Sequence, residues 1–301
     1  MNLDEEKRGD YLVSKETKKL WAVDLSILVE LERVCTKYGL KYFADGGTLL
    51  GAVRNRGFIP WDDDIDIQMM SDDFNFLCSI AELEFKEPFF FQYYKSEEGC
   101  PPWHAKLRRS DTTGFTEYEK KYKPLWNHGI FIDIFPLYGI PDKECEFKWQ
   151  CSRLKLLRKV MTGYEHWYAY ITTGKKAFKP WEREMLLWRF CRCFISPETL
   201  FKQYLRICSE AGNETRRVGV TSFQPGDPNL IWDREMFSKI VQLPFEDQMI
   251  PCPIQYDARL RVQYGDYMVE RKGTERHSSL IFDADIPYIE YENNKMNNVG
   301  I

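Results

Sequence analysis

The chain has 301 residues, of which 44% are hydrophobic and 15% aromatic, and its formal net charge is −4. This composition excludes a disordered chain, and the lack of a basic excess argues against a nucleic-acid-binding protein. The length allows a sizeable core and suits one domain with an insertion. We therefore expect a single catalytic domain over residues 1–301.

The cysteines and the N-terminus point to a cytoplasmic protein. Nine cysteines lie scattered without a CxxC pair, which is typical of reduced thiols rather than of a disulfide framework or a zinc site. The first ten residues are charged and lack the apolar core of a signal peptide, and no apolar run reaches transmembrane length. We expect a soluble protein, at most peripheral to a membrane.

The first half of the chain alternates between helical and strand patterns, which predicts an α/β (α+β) fold. Apolar residues recur at helical spacing from Trp21 to Cys35 and predict an amphipathic helix that packs on a sheet. A short strand at 41–44 leads into a glycine pair and a short helix at 48–53. The further predicted elements are a strand at 64–70, a helix at 74–83 capped by Ser71-Asp72-Asp73, and strands at 89–94, 103–109 and 129–136.

The segment from about 143 to 211 differs from the rest and predicts a helical insertion. Between residues 148 and 205 there are 12 Lys or Arg and 4 Asp or Glu, an excess of eight positive charges, among many aromatic residues. One interpretation is a helical lid with a solvated basic face. The other is a surface for an anionic acceptor or for the inner face of the cell membrane. A return strand at 217–222 and a helix capped by Asp257 follow.

Asp64 and Asp66 are the first candidate metal ligands. On a strand, residues two apart share one face, about 7 Å apart, so both carboxylates can point at a common centre. They repel each other unless a cation lies between them, and carboxylate oxygens favour Mg²⁺ or Mn²⁺. An acidic loop before an edge strand is the alternative. A calcium loop starting at Asp62 is excluded, because its sixth residue is Ile67 instead of glycine.

Asp133 is the third candidate, because it is the one carboxylate inside the apolar run Ile-Phe-Ile-Asp-Ile-Phe. An unpaired buried carboxylate is costly. A metal shared with Asp64 and Asp66 would explain it if the two strands are neighbours, and a hydrogen bond to the backbone is the alternative. One or two ions held by the three carboxylates could bridge a diphosphate.

Phosphate-binding groups are predicted on either side of these carboxylates. Gly46, Gly47 and the start of the short helix at Thr48 offer backbone amides suited to a phosphate. The candidate phosphate clamps are Arg54, Lys106 and Arg108. Each of these cations could equally form an ordinary surface ion pair.

A general base is harder to assign from residue types. His277 and His128 are candidates for a base or a phosphate ligand, and a structural histidine is the alternative for each. His277 is the preferred histidine, and one of the site's carboxylates could also accept the proton of an acceptor hydroxyl.

Taken together, these motifs resemble the LicD family, which includes bacterial phosphocholine transferases and the fukutin-related proteins. The specific blocks are Asp45-Gly46-Gly47-Thr48-Leu49-Leu50-Gly51-Ala52-Val53-Arg54 and Gly57-Phe58-Ile59-Pro60-Trp61-Asp62-Asp63-Asp64-Ile65-Asp66-Ile67. Supporting blocks are Lys106-Leu107-Arg108, Gly129 to Leu137, Leu243-Pro244-Phe245-Glu246 and Tyr264-Gly265-Asp266-Tyr267-Met268. The cysteine zinc loop of the fukutin-related branch has no counterpart here, which favours the bacterial branch.

The resemblance implies a nucleotidyltransferase-like mixed sheet flanked by helices, with Asp64, Asp66 and Asp133 as the metal triad. It also implies a transferase of substituted phosphate groups that moves a phospho-substituent, most simply phosphocholine, from a CDP-linked donor onto a glycan hydroxyl. The expected acceptors are teichoic acid, lipopolysaccharide or capsule. Two other functions stay open: a nucleotidyltransferase that makes a CDP- or other NDP-linked product, and a non-catalytic glycan- or nucleotide-binding module.

Overall fold

The computed structural model describes residues 1–100, 103–116, 119, 125–173, 183–270 and 280–291. Its helices are α1 (Lys15–Tyr38), α2 (Gly46–Arg54), α3 (Ser71–Glu84), α4 (Glu144–Thr173), α5 (Arg183–Cys191), α6 (Pro197–Ser209) and α7 (Tyr256–Tyr264). Its strands are β1 (Glu6–Arg8), β2 (Tyr11–Val13), β3 (Phe43–Ala44), β4 (Asp66–Met70), β5 (Phe89–Gln92), β6 (Ala105–Arg109), β7 (Thr113–Phe115), β8 (Ile130–Ile140), β9 (Arg217–Gly219), β10 (Ile231–Asp233), β11 (Ile240–Phe245), β12 (Gln248–Pro253) and β13 (Ile281–Asp283).

The central sheet is mixed, and β8 lies in its middle. The strand order is β10-β9-β8-β4-β3, and β6 also pairs with β8 while β5 pairs with β6. β4 and β8 are parallel, whereas β6 and β9 run antiparallel to β8. The predicted α/β (α+β) class, a mixed sheet flanked by helices, is confirmed.

The sequence patterns located these elements well but misplaced several boundaries. β4 begins at Asp66, so Asp64 lies in the loop before the strand, and the prediction that both share a strand face is wrong. Both predicted helix caps are wrong. The capping position of α3 is Met70, and no side chain caps this helix. The capping position of α7 is Gln255, so Asp257 lies inside the helix. Pairing with β8 decides where β4 starts. The first hydrogen bond between the two segments runs from the N–H of Asp133 to the carbonyl of Ile65, so Asp64 lies before the paired region.

The main core lies between the sheet and helix α1. Helix α1 buries the apolar face predicted for it, including Trp21, Leu28 and Leu31, in the same cluster as Ile67 and Ile134 of the central strands. The indole N–H of Trp21 donates to the carbonyl of Asp62 at 2.9 Å. Packing of α1 therefore fixes the acidic loop that precedes β4.

Helices α4, α5 and α6 lie within the segment predicted to be helical, and they form a second core. Its members include Leu154, Tyr164, Trp188 and Tyr204, in the same cluster as Tyr138 of β8. The existence of one domain with an insertion stays a prediction.

Within the described residues, no helix combines the length and apolarity needed to span a bilayer.

Truncation of Ile134 to Ala should destabilise the protein by about 2–5 kcal/mol, because this fully buried side chain sits between β4 and β6 and would leave a cavity. The matched control is Leu156→Ala, whose side chain is 60% exposed and should change the free energy of unfolding by at most about 0.5 kcal/mol. Urea denaturation followed by circular dichroism measures both. Equal effects would contradict the central place of β8.

Candidate active site

Three charged side chains lie in one row across the central strands. Asp66 of β4 is paired in register with Asp133 of β8, and Asp133 is paired with Lys106 of β6. Residues directly opposite one another in a sheet project to the same face. The Lys106 ammonium donates to Asp133 Oδ1 at 2.6 Å. The structure thus brings together two predicted metal ligands and one predicted phosphate-binding cation.

His104, which is not among the site residues predicted from the sequence, joins this row. Its Nε2 lies 3.0 Å from Asp133 Oδ1, and its ring packs 4.8 Å from that of Phe135. Burial lowers the pKa of His104, so the neutral imidazole donates from Nε2. Burial alone would raise the pKa of Asp133, but Lys106 and His104 outweigh it and hold that pKa below its ordinary value. Asp133 is therefore an ionised, oriented carboxylate.

The glycine turn packs directly against the carboxylates. Gly46 adopts a positive φ of 49°, and a Cβ there would lie 2.9 Å from Asp66 Oδ2. A Cβ on Gly47 would overlap Oδ2 of Asp62. Only glycine fits both positions, because any side chain would displace a carboxylate. The first turn of α2 is therefore in contact with the acidic cluster.

Hydrogen bonds fix this turn to β4. Thr48 Oγ1 accepts from the N–H of Asp66 at 2.9 Å, and the N–H of Asp45 donates to the carbonyl of Asp66 at the same distance. Thr48 is 2% exposed. Its hydroxyl thus positions Asp66, while its assignment to donor binding stays a prediction.

A buried arginine that the sequence did not reveal anchors the same turn. Asp45 caps α2 by accepting from the N–H of Gly46, and Arg259 of α7 forms an ion pair with Asp45. Arg259 also donates to Gln68 Oε1 at 3.1 Å and lies over the ring of Trp232. Burial lowers the pKa of Arg259 to about 10, so it stays charged at neutral pH. Helix α7 is thereby tied to the glycine turn over 214 residues of sequence.

A second group of carboxylates completes the site. Asp62, Asp63 and Asp64 can each place an oxygen within 4.8 Å of the others, close enough to hold a metal ion. Burial and the charges of Asp64, Asp133 and Asp62 raise the pKa of Asp66 well above its ordinary value. Such crowding of like charges is relieved by a divalent cation. The donor set is all oxygen, as Mg²⁺ or Mn²⁺ requires.

Asp24 of α1 adds a further carboxyl behind this cluster. Its side chain is fully buried, and neither oxygen has a hydrogen-bond partner among the described residues. Burial, followed by the charges of Asp64, Asp63 and Asp62, raises its pKa well above the ordinary value. The helical pattern of α1 contained this residue, but its position beside the cluster depends on the packing of Trp21 against Asp62.

The other predicted site residues lie at different distances from the carboxylates. Arg54 lies at the end of α2, where its guanidinium donates to the carbonyl of Tyr267 at 3.3 Å. Arg108 is fully buried and bonded to Gln92, Gly129 and Glu119, so the structure does not bring its guanidinium to the carboxylate row. His128 is buried near Glu119. His277 lies outside the described residues.

Comparison with known proteins assigns this region to a family. Residues 39–155 match the family model described as LicD/FKTN/FKRP, nucleotidyltransferase domain. The predicted relationship to the LicD family is confirmed. The matched range contains the glycine turn, the acidic loop, β4, β6 and β8, and so all the described members of the carboxylate row.

Individual proteins are similar over larger or smaller parts of the chain. The chain is 26% identical over 253 residues to the "Lipopolysaccharide cholinephosphotransferase LicD" of Haemophilus influenzae, which covers 82% of this chain and 89% of that protein. It is 38% identical over 145 residues to an uncharacterized protein of Rickettsia prowazekii, covering 48% of this chain and 50% of that protein. The similarity to the Haemophilus protein thus extends well beyond the family match.

Removal of the cation beside Asp133 should lower stability. We expect Lys106→Met to reduce the free energy of unfolding at pH 7 by about 2–3 kcal/mol, because Asp133 loses its partner while partly buried. The depressed pKa of Asp133 stabilises the fold above about pH 4, and this contribution is lost as the pH falls further. Lys106→Met should therefore show a weaker pH dependence below pH 4.

Urea denaturation in EDTA at several pH values between 7 and 3 measures this effect. Lys148→Met is the control, because its ammonium is 73% exposed in an i,i+4 pair with Glu144 and should contribute at most about 0.5 kcal/mol. If both variants had the same stability at pH 7, the Lys106–Asp133 pair would not be a structural support of the site.

Proposed function

We propose that this LicD-type transferase moves phosphocholine from CDP-choline onto a hydroxyl of a cell-surface glycan. The observation that carries the proposal is the register pairing of Asp66 with Asp133 beside a glycine turn, within the range of the family match. Similarity over 82% of the chain to a lipopolysaccharide cholinephosphotransferase supports the substrate class, with lipopolysaccharide as the acceptor. Teichoic acid and capsule are the alternative acceptors.

A divalent metal fits the carboxylates of the site. Asp64, Asp66 and Asp133 would hold Mg²⁺ or Mn²⁺, with Asp66 and Asp133 paired in register on neighbouring strands. Oxygens of Asp62 and Asp63 can come within 4.8 Å of one of Asp64, so these two carboxylates lie near enough to Asp64 to assist. Burial and the neighbouring carboxylates together raise the pKa of Asp66, and this grouping of buried carboxyl groups is the observation that favours a bound cation. When bound, such an ion neutralises charge on a diphosphate and stabilises the transferring phosphoryl group.

The chain's own residues would orient the donor around this centre. The amides of Gly46 and Gly47 and the guanidinium of Arg54 suit the phosphates. Lys106 and His104 keep Asp133 ionised and fixed, and Lys106 places a positive charge beside the phosphate site. Arg108 receives no phosphate role here, because its guanidinium is buried against Glu119.

The acceptor hydroxyl must lose a proton during transfer. We propose that a carboxylate of the site or His277 accepts this proton. His104 is a positioning residue, because its Nε2 is committed to Asp133 and its Nδ1 is buried without a partner among the described residues.

A nucleotidyltransferase is the second candidate, because the matching family model is described as a nucleotidyltransferase domain. The same carboxylates would then act on a nucleoside triphosphate and a small phosphorylated acceptor. Incubation with CTP and phosphocholine, against CDP-choline and a glycan acceptor, separates the two. Formation of CDP-choline and pyrophosphate in the first reaction alone would overturn the phosphotransferase.

The variant Asp64→Ala should lower the turnover of CDP-choline at least about a hundredfold, because it removes a ligand of the diphosphate-bound cation. Release of CMP with Mg²⁺ present measures this loss, and Mg²⁺ titration calorimetry should show weakened binding. The matched control, Asp111→Asn, removes an exposed carboxylate paired with Arg109 and should keep full turnover. Unchanged turnover in Asp64→Ala would overturn the metal-binding role of Asp64, whereas no turnover by the unaltered chain would favour a non-catalytic binding module.

The basic, aromatic segment at 148–205 is proposed to contact the inner face of the cell membrane. On α5 and the turn after it, Leu186, Phe190 and Phe194 follow one another four residues apart and are 48%, 69% and 79% exposed. Arg189 and Arg192 beside them are also exposed. Apolar rings next to arginines suit an anionic bilayer surface. A lipid-linked glycan acceptor would be presented at that surface.

Replacement of both Phe190 and Phe194 by Ser should weaken binding to vesicles of anionic phospholipid more than tenfold, because about 2 kcal/mol of apolar burial is lost. Vesicle co-sedimentation measures the partition. The control is Leu83→Ser on α3, which removes an apolar side chain that is 68% exposed elsewhere. Equal binding by all variants would contradict the membrane contact.

A further inference from the structure

A cavity of about 490 Å³ opens beside the acidic loop. Its walls come from the hairpin formed by β1 and β2, from the loop between α2 and β4, and from Glu246 and Glu270. None of the side chains assigned to metal or phosphate lines it. The cavity is therefore adjacent to the carboxylate site but separate from it.

Two aromatic rings form a corner of this cavity. Tyr11 of β2 and Trp61 of the loop have ring centroids 5.9 Å apart and planes inclined by 64°. Trp61 is half-buried and Tyr11 is 38% exposed, so both rings keep accessible surface. Two ring faces at such an angle can contact the methyl groups of a quaternary ammonium ion at once.

The charges around the corner favour a cation. Among the described residues, four carboxylates line the cavity (Glu6, Asp10, Glu246 and Glu270) against two arginines (Arg8 and Arg56), an excess of two negative charges in this part of the chain. Arg8 is neutralised within the wall, since it binds Glu246 through two bonds of 2.6 and 2.7 Å.

Two of these carboxylates are available to a ligand. Asp10 lies in the exposed turn of the hairpin and makes no hydrogen bond or ion pair with a described residue. Glu270 follows the motif around Tyr267, and its charge also acts on the guanidinium of Arg54, without a hydrogen bond between the two. Glu6, in contrast, is held by Lys18 and Arg8. Asp10 and Glu270 would supply the negative potential that the aromatic corner lacks.

The cavity lies within reach of the reacting phosphates. Trp61 precedes Asp64 by three residues, so their backbones are at most about 11 Å apart. Asn55, which also lines the cavity, directly follows Arg54 in the chain. A headgroup in the cavity could therefore remain covalently joined to a phosphate held by the carboxylate site.

From this geometry we infer that the cavity binds the trimethylammonium group of the donor, and that Tyr11, Trp61, Asp10 and Glu270 select choline over neutral alcohols. The inference rests on the proposed phosphocholine transfer. A polyol offers hydroxyls but no charge, so it would leave the carboxylates without a counter-ion and the rings without a cation. Ethanolamine carries the charge but lacks the methyl groups that contact the rings.

Kinetics with two donors test this selection. Tyr11→Ala, and separately the pair Asp10→Asn with Glu270→Gln, should each lower kcat/KM for CDP-choline about tenfold, mainly through KM, because about 1–2 kcal/mol of cation recognition is lost. Turnover of CDP-ribitol, which is neutral in its alcohol part, should not fall. The control pair, Asp4→Asn with Glu82→Gln, removes two exposed carboxylates outside the cavity and should leave both donors unaffected.

A direct binding measurement separates this inference from the proposed function. Choline and its uncharged analogue 3,3-dimethylbutan-1-ol are titrated into the full chain by NMR. The inference expects choline alone to bind, and both cavity variants to lose it, even if no CDP-linked donor is turned over. Equal binding of the two compounds, or an equal fall for CDP-choline and CDP-ribitol, would overturn it. If CDP-choline is not turned over but choline binds as expected, the proposed function is wrong while the inference that the cavity binds choline is supported.

Discussion

The register around β8 is the constraint on which the site depends. β4 joins one edge of β8 in parallel and β6 joins the other in antiparallel orientation, and both pairings place a charged residue at the level of Asp133. A shift of either strand by one residue would turn its charged side chain to the opposite face, because side chains alternate along a strand. The buried isoleucines on both sides of Asp133 prevent such a shift.

This register has an electrostatic consequence that divides the site into two parts. The ammonium of Lys106 neutralises Asp133, and the neutral imidazole of His104 lies within hydrogen-bond distance of the same oxygen. The pKa of Asp66 is raised by burial and by the nearby carboxylates of Asp64, Asp133 and Asp62. Such a site suits a metal ion and a polyanionic donor bound together. The cation would lie on the carboxylates, and the phosphates would lie against the glycine amides and the basic side chains.

Long-range contacts supply the rigidity that these charges need. The glycine turn approaches Asp62 and Asp66 so closely that no side chain fits, and it is held there by Thr48 and by the Arg259–Asp45 pair. On the other side, Trp21 of α1 fixes the loop at Asp62. The proposed choline cavity begins one residue away, at Trp61, so the same loop would position both the headgroup and the phosphates.

The sequence alone was sufficient for the features that depend on local pattern. The helical spacing from Trp21 to Cys35, the apolar run around Asp133 and the glycine pair each predicted the right element, because periodicity and turn chemistry are local properties. The motif blocks also predicted the LicD relationship, which the family match confirms. Assignment of Asp64, Asp66 and Asp133 to metal binding remains a prediction, now supported by the pairing of Asp66 with Asp133.

Only the tertiary structure decided which distant residues meet. Lys106 and Arg108 looked equivalent in sequence, yet Lys106 contacts Asp133 while Arg108 is buried against Glu119, because the strand pairing and the segment around residue 119 provide different partners. Asp64 left the strand because pairing with β8 begins at the next residue. The sequence predicted neither the contact of His104 with Asp133 nor the places of Asp24 and Arg259, for the same reason. Their partners lie on other elements, and packing between elements leaves no periodic signal in the chain.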